Sequence, residues 1–230
     1  MDLKEMGNVD PHEHWYYLSK YAFIYNTIKR INKSKVSRII EVGAGSGFFS
    51  QELGRDLDAD EVIQIDINYR SEELDRRNNI LRFDACPHFA GDLYLMIDVL
   101  EHVSNPLEFL KHYVSEAQKG ALFIMTVPAF QFMWSEHDIF LGHYKRYTLR
   151  ELTSLAQDTG SQIEYGSYIF QLAFPIAFLQ RKIVKRYANG SAMQEIPKIL
   201  NSLMLLICRF ESQFFRKQRF GLSVLVIGRA

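Results

Sequence analysis

Cysteine is scarce in this sequence: of 230 residues, only Cys86 and Cys208 carry a thiol. Two cysteines so far apart form neither a disulfide framework nor a paired metal-ligand spacing, which points to a reducing compartment rather than secretion. Net charge is missing too, because 27 basic side chains balance 27 acidic ones. No global field then draws in nucleic acid or an acidic polymer, so the expected partner is a small molecule and not a nucleic acid. There is no long apolar run; the richest stretch, Ile199 to Cys208, is too short and too interrupted to span a bilayer. The start, Met1 to Pro11, is polar and acidic rather than basic and then apolar, so no signal peptide is read there and a cytoplasmic protein is expected. Repeats and low-complexity segments are also lacking. The length suits one elaborated domain over residues 1–230.

What is present is a change of rhythm. Trp15, Leu18, Ala22, Tyr25, Ile28 and Ile31 recur at helical spacing and predict an amphipathic first helix that packs as a lid or flank. From Val36 onward, short β-rich runs alternate with helical stretches: Val36 to Val42, Glu61 to Ile67, Ile80 to Ala85, Asp92 to Val99 and Ala121 to Val127. Runs apolar on both sides and separated by helices read as a parallel sheet covered on two faces, and right-handed crossovers make it doubly wound. Asn105-Pro106 opens a helix ending near Gly120, and Thr148 with Glu151 forms a capping box for another over Thr148 to Asp158. Ser161 to Tyr168 and Gly221 to Gly228 read as two further strands, with a helical hairpin between them.

The first strand runs into Glu41-Val42-Gly43-Ala44-Gly45-Ser46-Gly47. Glycines are needed where a backbone turns sharply and a ligand comes too close for a Cβ, and at the end of a first parallel strand that place is a nucleotide cleft. A dinucleotide fingerprint wants its third glycine at position 48, where this chain has Phe48. This argues against a pyrophosphate and a nicotinamide oxidoreductase, and for a nucleoside without phosphates such as S-adenosylmethionine. Asp66, followed by Ile67, sits at the second strand tip as a ribose anchor, and Asp84-Ala85, with Cys86 alongside, sits at the third facing the adenine amino group. Each acid taken singly also fits a turn or a cap.

These motifs, with Asp98-Val99-Leu100-Glu101-His102-Val103 and Asn105-Pro106, resemble those of class I S-adenosylmethionine-dependent methyltransferases, and most closely a bacterial small-molecule group whose fourth strand ends in that DVLEHV sequence. His14-Trp15-Tyr16, Trp134 to Asp138 and Gly142 to Tyr147 extend the resemblance over most of the chain. Two departures are Ala44, where many relatives have cysteine, and the lack of an arginine after the first aromatics. The resemblance implies a Rossmann-like α/β fold with a seven-stranded, mainly parallel sheet and a reversed last strand. Residues 1–34 would form a helical lid, 35–168 the core, 169–219 a helical insertion and 220–230 the last strand. It implies a cofactor site of Glu41, Gly43, Ala44, Gly45, Gly47, Asp66, Ile67, Asp84, Ala85, Asp98 and Val99. The expected reaction moves a methyl group from S-adenosylmethionine to an oxygen or nitrogen of a small-molecule acceptor, leaving S-adenosylhomocysteine, as in small-molecule biosynthesis.

Proton removal from a hydroxyl or ammonium acceptor suits histidine. The loop after the fifth strand supplies His137 and His143 beside Tyr144, Arg146 and Tyr147, so His143, His137 and Tyr144 are the catalytic candidates. A lid whose histidines merely bond backbone is the plainer reading. Asp98, Glu101 and His102 have the spacing of a metal cluster that His137 or His143 would complete. No metal is expected, with Asp98 lining the cofactor cleft while Glu101 and His102 orient a loop. In 169–219, nine basic residues stand against two acids, Glu195 and Glu211, among many aromatic and aliphatic side chains. Such a hairpin caps the sheet or forms a homodimer interface; alternatively it meets an anionic membrane or a lipid-linked acceptor. Two functions of other kinds stay open on the same fold: an enzyme that rearranges or cyclises S-adenosylmethionine without methyl transfer, and a non-catalytic binding subunit.

Overall fold

A computed structural model describes residues 9–69, 73–75, 79–85, 89–183 and 197–230. Eight strands form one sheet: β1 (Arg38–Val42), β2 (Glu61–Ile65), β3 (Glu73–Asp75), β4 (Ile80–Phe83), β5 (Leu93–Ile97), β6 (Leu122–Pro128), β7 (Gln162–Ile169) and β8 (Ser223–Arg229). Their order is β3-β4-β2-β1-β5-β6-β8-β7. From β4 to β6 the pairing is parallel. β8 inserts antiparallel between β6 and β7, as the expected reversed last strand. The seven expected strands are all there; the three-residue β3 is an addition, antiparallel at the edge beside β4.

The strands bury because their side chains alternate between two apolar layers. In β5, Leu93, Leu95 and Ile97 point to one core with Phe49, Leu53 and Ile24, while Tyr94 and Met96 point to the other with Leu110, Phe123 and Leu152. Helices α1 (Trp15–Ile31), α2 (Phe48–Asp56) and α7 (Lys198–Phe214) cover the first face. The second lies under α3 (Pro106–Glu116) and α5 (Leu149–Gln157). Asn105 caps α3 ahead of Pro106, and Thr148 and Glu151 close a capping box on α5, as the sequence predicts. The connection after β6 contains a short helix, α4 (Glu136–Leu141), where only a loop was expected.

The first helix forms where expected, but its most buried side chains are Tyr17, Lys20, Phe23, Ile24, Thr27 and Ile28, one step round from the predicted stripe. Trp15, Leu18, Tyr25 and Ile31 are half-buried on its flank. The reason is α7, which packs along α1 and covers a second face: Asn201 accepts from Trp15 N at 2.9 Å and donates to Glu13 O at 2.8 Å, and Arg30 reaches Ser212 O at 3.1 Å. Helix α6 (Phe174–Ile183) precedes residues 184–196, so the hairpin turn, with Lys185, Arg186 and Glu195, lies outside the described residues, as does Cys86.

Candidate active site

The carboxyl ends of β1, β2, β4 and β5 meet at the glycine loop. Gly43 has φ +68°, and a Cβ there would stand 2.7 Å from Val99 Cγ2; Gly47 has φ +75° and would collide with the Gln64 amide. Both positions therefore exclude a side chain, sterically and conformationally. The N–H groups of Gly43 and Ala44 donate to Ile65 O at 2.8 and 3.0 Å, which stitches the loop to β2. Gln64 donates to Gly47 O at 3.1 Å, and Tyr69 Oη donates to Gly45 O at 2.8 Å.

Asp66 is buried at the tip of β2. Its Oδ2 accepts from Gly45 N at 2.7 Å, and its Oδ1 accepts from both Asn68 N and Asn68 Nδ2 at 2.9 Å. The carboxylate thus braces the loop, and Oδ2 keeps one lone pair for a ligand hydroxyl. Next to it Ile67 is 88% exposed, and Asp84 and Ala85 are exposed at the tip of β4. Glu41 is fully buried, with Oε2 accepting from Ser50 N at 3.1 Å and Oε1 lacking a hydrogen-bond partner among the described residues. Burial pushes its carboxyl up to about 7. It ties β1 to the first turn of α2.

Asp98, at the end of β5, adopts φ +54°. An aspartate tolerates this left-handed conformation better than most residues, yet it still costs about 1 kcal/mol or more. Lys20 of α1, with no exposed side-chain surface, pairs with Asp98 Oδ2. Lys20 also donates to Tyr16 Oη at 2.6 Å, and Tyr16 Oη donates to Asp98 Oδ2 at 3.3 Å. Thr126 Oγ1 donates to Asp98 Oδ1 at 2.9 Å. Burial would raise the Asp98 carboxyl, but the Lys20 charge and these hydrogen bonds outweigh it and hold it below the usual range. Lys20 was missed in the sequence; its only signal was a lysine among helical positions that turn out to be buried.

Three residues on, Glu101 is buried in a 3-10 turn over Leu100–His102, and its Oε2 has no hydrogen-bond partner among the described residues. Burial, then the Asp98 charge, raises its carboxyl well above the ordinary value and favours the protonated form. The loop after β6 is stapled onto this turn: Tyr144 N donates to Glu101 O at 2.7 Å and Tyr147 Oη to Leu100 O at 3.0 Å. That brings His143 beside His102, ring centroids 4.6 Å apart, and one ligand atom each from Glu101, His102 and His143 lies within 4.8 Å of the other two.

Asp138 orients His143. Fully buried in α4, it accepts from Arg146 Nε at 2.7 Å and Nη2 at 3.0 Å, from Ser135 N at 2.8 Å, and pairs with His143 Nδ1 at 3.0 Å. Burial would raise this carboxyl, but the His143 and Arg146 hydrogen bonds and the Arg146 charge win and lower it. An ionised carboxylate only accepts, so Nδ1 is assigned the proton and Nε2 is left as the acceptor. Of the other expected catalytic residues, half-buried His137 on the first turn of α4 is not a member of this cluster, and Tyr144 is 64% exposed. Asp138 stood in the quoted motif without a role, because its reach to His143 and Arg146 depends on how the loop folds.

Side-chain-free turns and acids at the carboxyl ends of adjacent parallel strands are where a doubly wound α/β fold takes a nucleoside ligand. The chain matches the methyltransferase domain family over residues 10–165 and belongs to it. It is a methyltransferase. Among curated proteins, none matches the sequence significantly. Solved structures share the fold at low identity. An S-adenosylmethionine-dependent methyltransferase from Archaeoglobus fulgidus superposes with a TM-score of 0.53 at 16% identity, covering 92% of this chain and 93% of that one. A plantazolicin methyltransferase in complex with S-adenosylhomocysteine gives 0.58 at 11%, over 98% and 86%. A [4+2]-cyclase gives 0.52 at 12%, over 92% and 80%.

Proposed function

We propose that this enzyme methylates an oxygen or nitrogen atom of a small-molecule acceptor held between α1 and the loop after β6, with His143 Nε2 as the base. The observation that supports this reading is the buried Asp138–His143 pair, which assigns the proton to Nδ1 of a ring that lies beside Glu101 and His102. When bound, S-adenosylmethionine supplies an activated methyl group on a sulfonium; the chain's residues align, desolvate and deprotonate. Gly43, Ala44, Gly45 and Gly47 give the backbone cradle, Asp66 Oδ2 a ribose contact, and Ile67, Asp84 and Ala85 an adenine rim; Val99 packs against the loop and Glu41 braces it. Asp98, held by the fully buried Lys20, presents a partly exposed carboxylate that complements the ammonium of an amino-acid end. Titration with S-adenosylhomocysteine and with NAD tests the cofactor half: NAD binding without the former would defeat it.

One observation favours a second reading of the same cluster. Two imidazoles and a carboxylate with ligand atoms within 4.8 Å would suit a divalent ion, and a carboxylate behind His143 Nδ1 is the usual support for a metal-bound histidine. Chelation separates the two, since the base mechanism survives it and a metal site does not.

A further inference from the structure

Helix α7 turns Met204 and Cys208 to the core, but it also buries polar residues and exposes a long apolar stripe. Its inward side, against α1, carries Asn201, Cys208, Glu211 and Ser212, and the polar members make the contacts: Asn201 with Trp15 and Glu13, Ser212 with Asn26, and Glu211 accepting from Gln171 N at 2.6 Å and Leu172 N at 3.1 Å. Its outward side carries Ile199, Leu203, Leu206, Phe210 and Phe214, one apolar stripe at helical spacing, exposed from 50% to 86%. Among the described residues, every exposed large hydrophobic one except Ile67 lies between Phe132 and Phe220. Exposed apolar side chains also lie on the loop after β6 and on α6, where exposed Phe132 meets Phe174 with ring centroids 6.4 Å apart and Phe174 meets Phe220, just beyond α7, at 5.5 Å. An exposed apolar stripe of this kind marks a contact surface.

Charge says what it contacts. Lys198, Arg209, Arg216, Lys217 and Arg219 are all exposed along or just beyond α7, while the one acid in residues 197–220, Glu211, is buried and turned inward. In a two-fold dimer through this stripe the same cations would face their own copies with no exposed acid of the segment to pair them, a repulsive arrangement. An apolar stripe fringed by uncompensated cations is instead complementary to anionic headgroups over acyl chains. Among the described residues no helix is long and apolar enough to cross a membrane, so such a helix would lie in the interface.

We propose that the outward face of α7, extended by Phe132 and α6, seats this enzyme on an anionic lipid bilayer. The surface stands independently of which residue acts as base, and it would open the acceptor side of the cleft to the lipid interface.

The test is flotation of the full-length protein with vesicles of phosphatidylcholine alone and of phosphatidylcholine mixed with phosphatidylglycerol. Binding is expected only to the mixed vesicles and should weaken as salt is raised. Arg216→Glu with Lys217→Glu should lower the partition at least tenfold, at roughly fivefold for each cation removed. Leu203→Ser with Leu206→Ser should abolish it. All variants should still bind S-adenosylhomocysteine, which shows that they are folded and keeps this test apart from that of the methyl-transfer reading. The proposal is overturned if the parent ignores anionic vesicles, if it binds neutral ones equally well, or if light scattering finds a dimer that the leucine substitutions dissociate.

Discussion

A single hydrogen bond sets the proton inventory of the site. Because Asp138 holds His143 Nδ1, His143→Ala should leave S-adenosylhomocysteine affinity within about twofold while lowering kcat by about a hundredfold or more, the usual worth of a general base. Asp138→Asn should lower kcat and displace its pH profile, a change that simple loop damage would not produce. At the cofactor loop Asp66→Ala removes an acceptor shared by Gly45 and Asn68, so the affinity for S-adenosylhomocysteine, read by calorimetry, should fall roughly tenfold or more. Unchanged binding in that variant would overturn the proposed ribose contact at Asp66. Lys20→Met leaves the half-buried Asp98 without its cation and should cost up to about 3 kcal/mol in denaturant unfolding. Adding Asp98→Asn should recover most of that loss. Asp66 was legible in the sequence because a strand tip following a glycine loop is a defined place. Lys20 was not, because nothing local says that a helix will be clamped on two faces.

Among the elements, α5 is the most self-contained. Thr148 and Glu151 bond reciprocally, with Thr148 N donating to Glu151 at 2.7 Å and Glu151 N to Thr148 Oγ1 at 3.3 Å. Thr148→Ala should cost about 1 kcal/mol, lowering the melting temperature by about 2–4 °C without affecting cofactor binding. Capping is local chemistry, so both this helix start and that of α3 could be read from the chain. The element α4 could not. Its six residues are too few for a helical period, and it exists because Asp138 closes a capping box with Ser135 while binding Arg146 from beyond the helix. The short strand β3 escaped notice for a similar reason: three residues carry no alternation, and only pairing with β4 defines them.

For the whole molecule, opposite pKa shifts give a signed pH dependence. Asp98 and Asp138 are held low in the folded state, so the stability they contribute is present above the ordinary aspartate value of 3.8 and is lost as pH falls below it. Glu41 is held high, so the folded state keeps a proton that the unfolded chain gives up, and stability declines as pH rises from about 4.5 to about 7. Glu101 acts in the same direction. Denaturant midpoints should therefore fall off below about pH 4 and also decline gently toward neutrality. Glu41→Gln should remove part of the second decline, by at most about 3 kcal/mol. A midpoint that rises steadily through neutrality would contradict the burial of these carboxyls.

The chain's own pattern determined the doubly wound sheet, the glycine loop and the strand-tip acids, because each rests on alternation, on capping or on a backbone that must lack a Cβ. Tertiary structure alone decided the rest. It set Lys20 against Asp98, brought Glu101, His102 and His143 together, and left the apolar side of α7 facing outward. These arrangements depend on which faces of distant segments meet, and the burial and pairing that govern them are properties of the assembled core, which no short window of sequence contains.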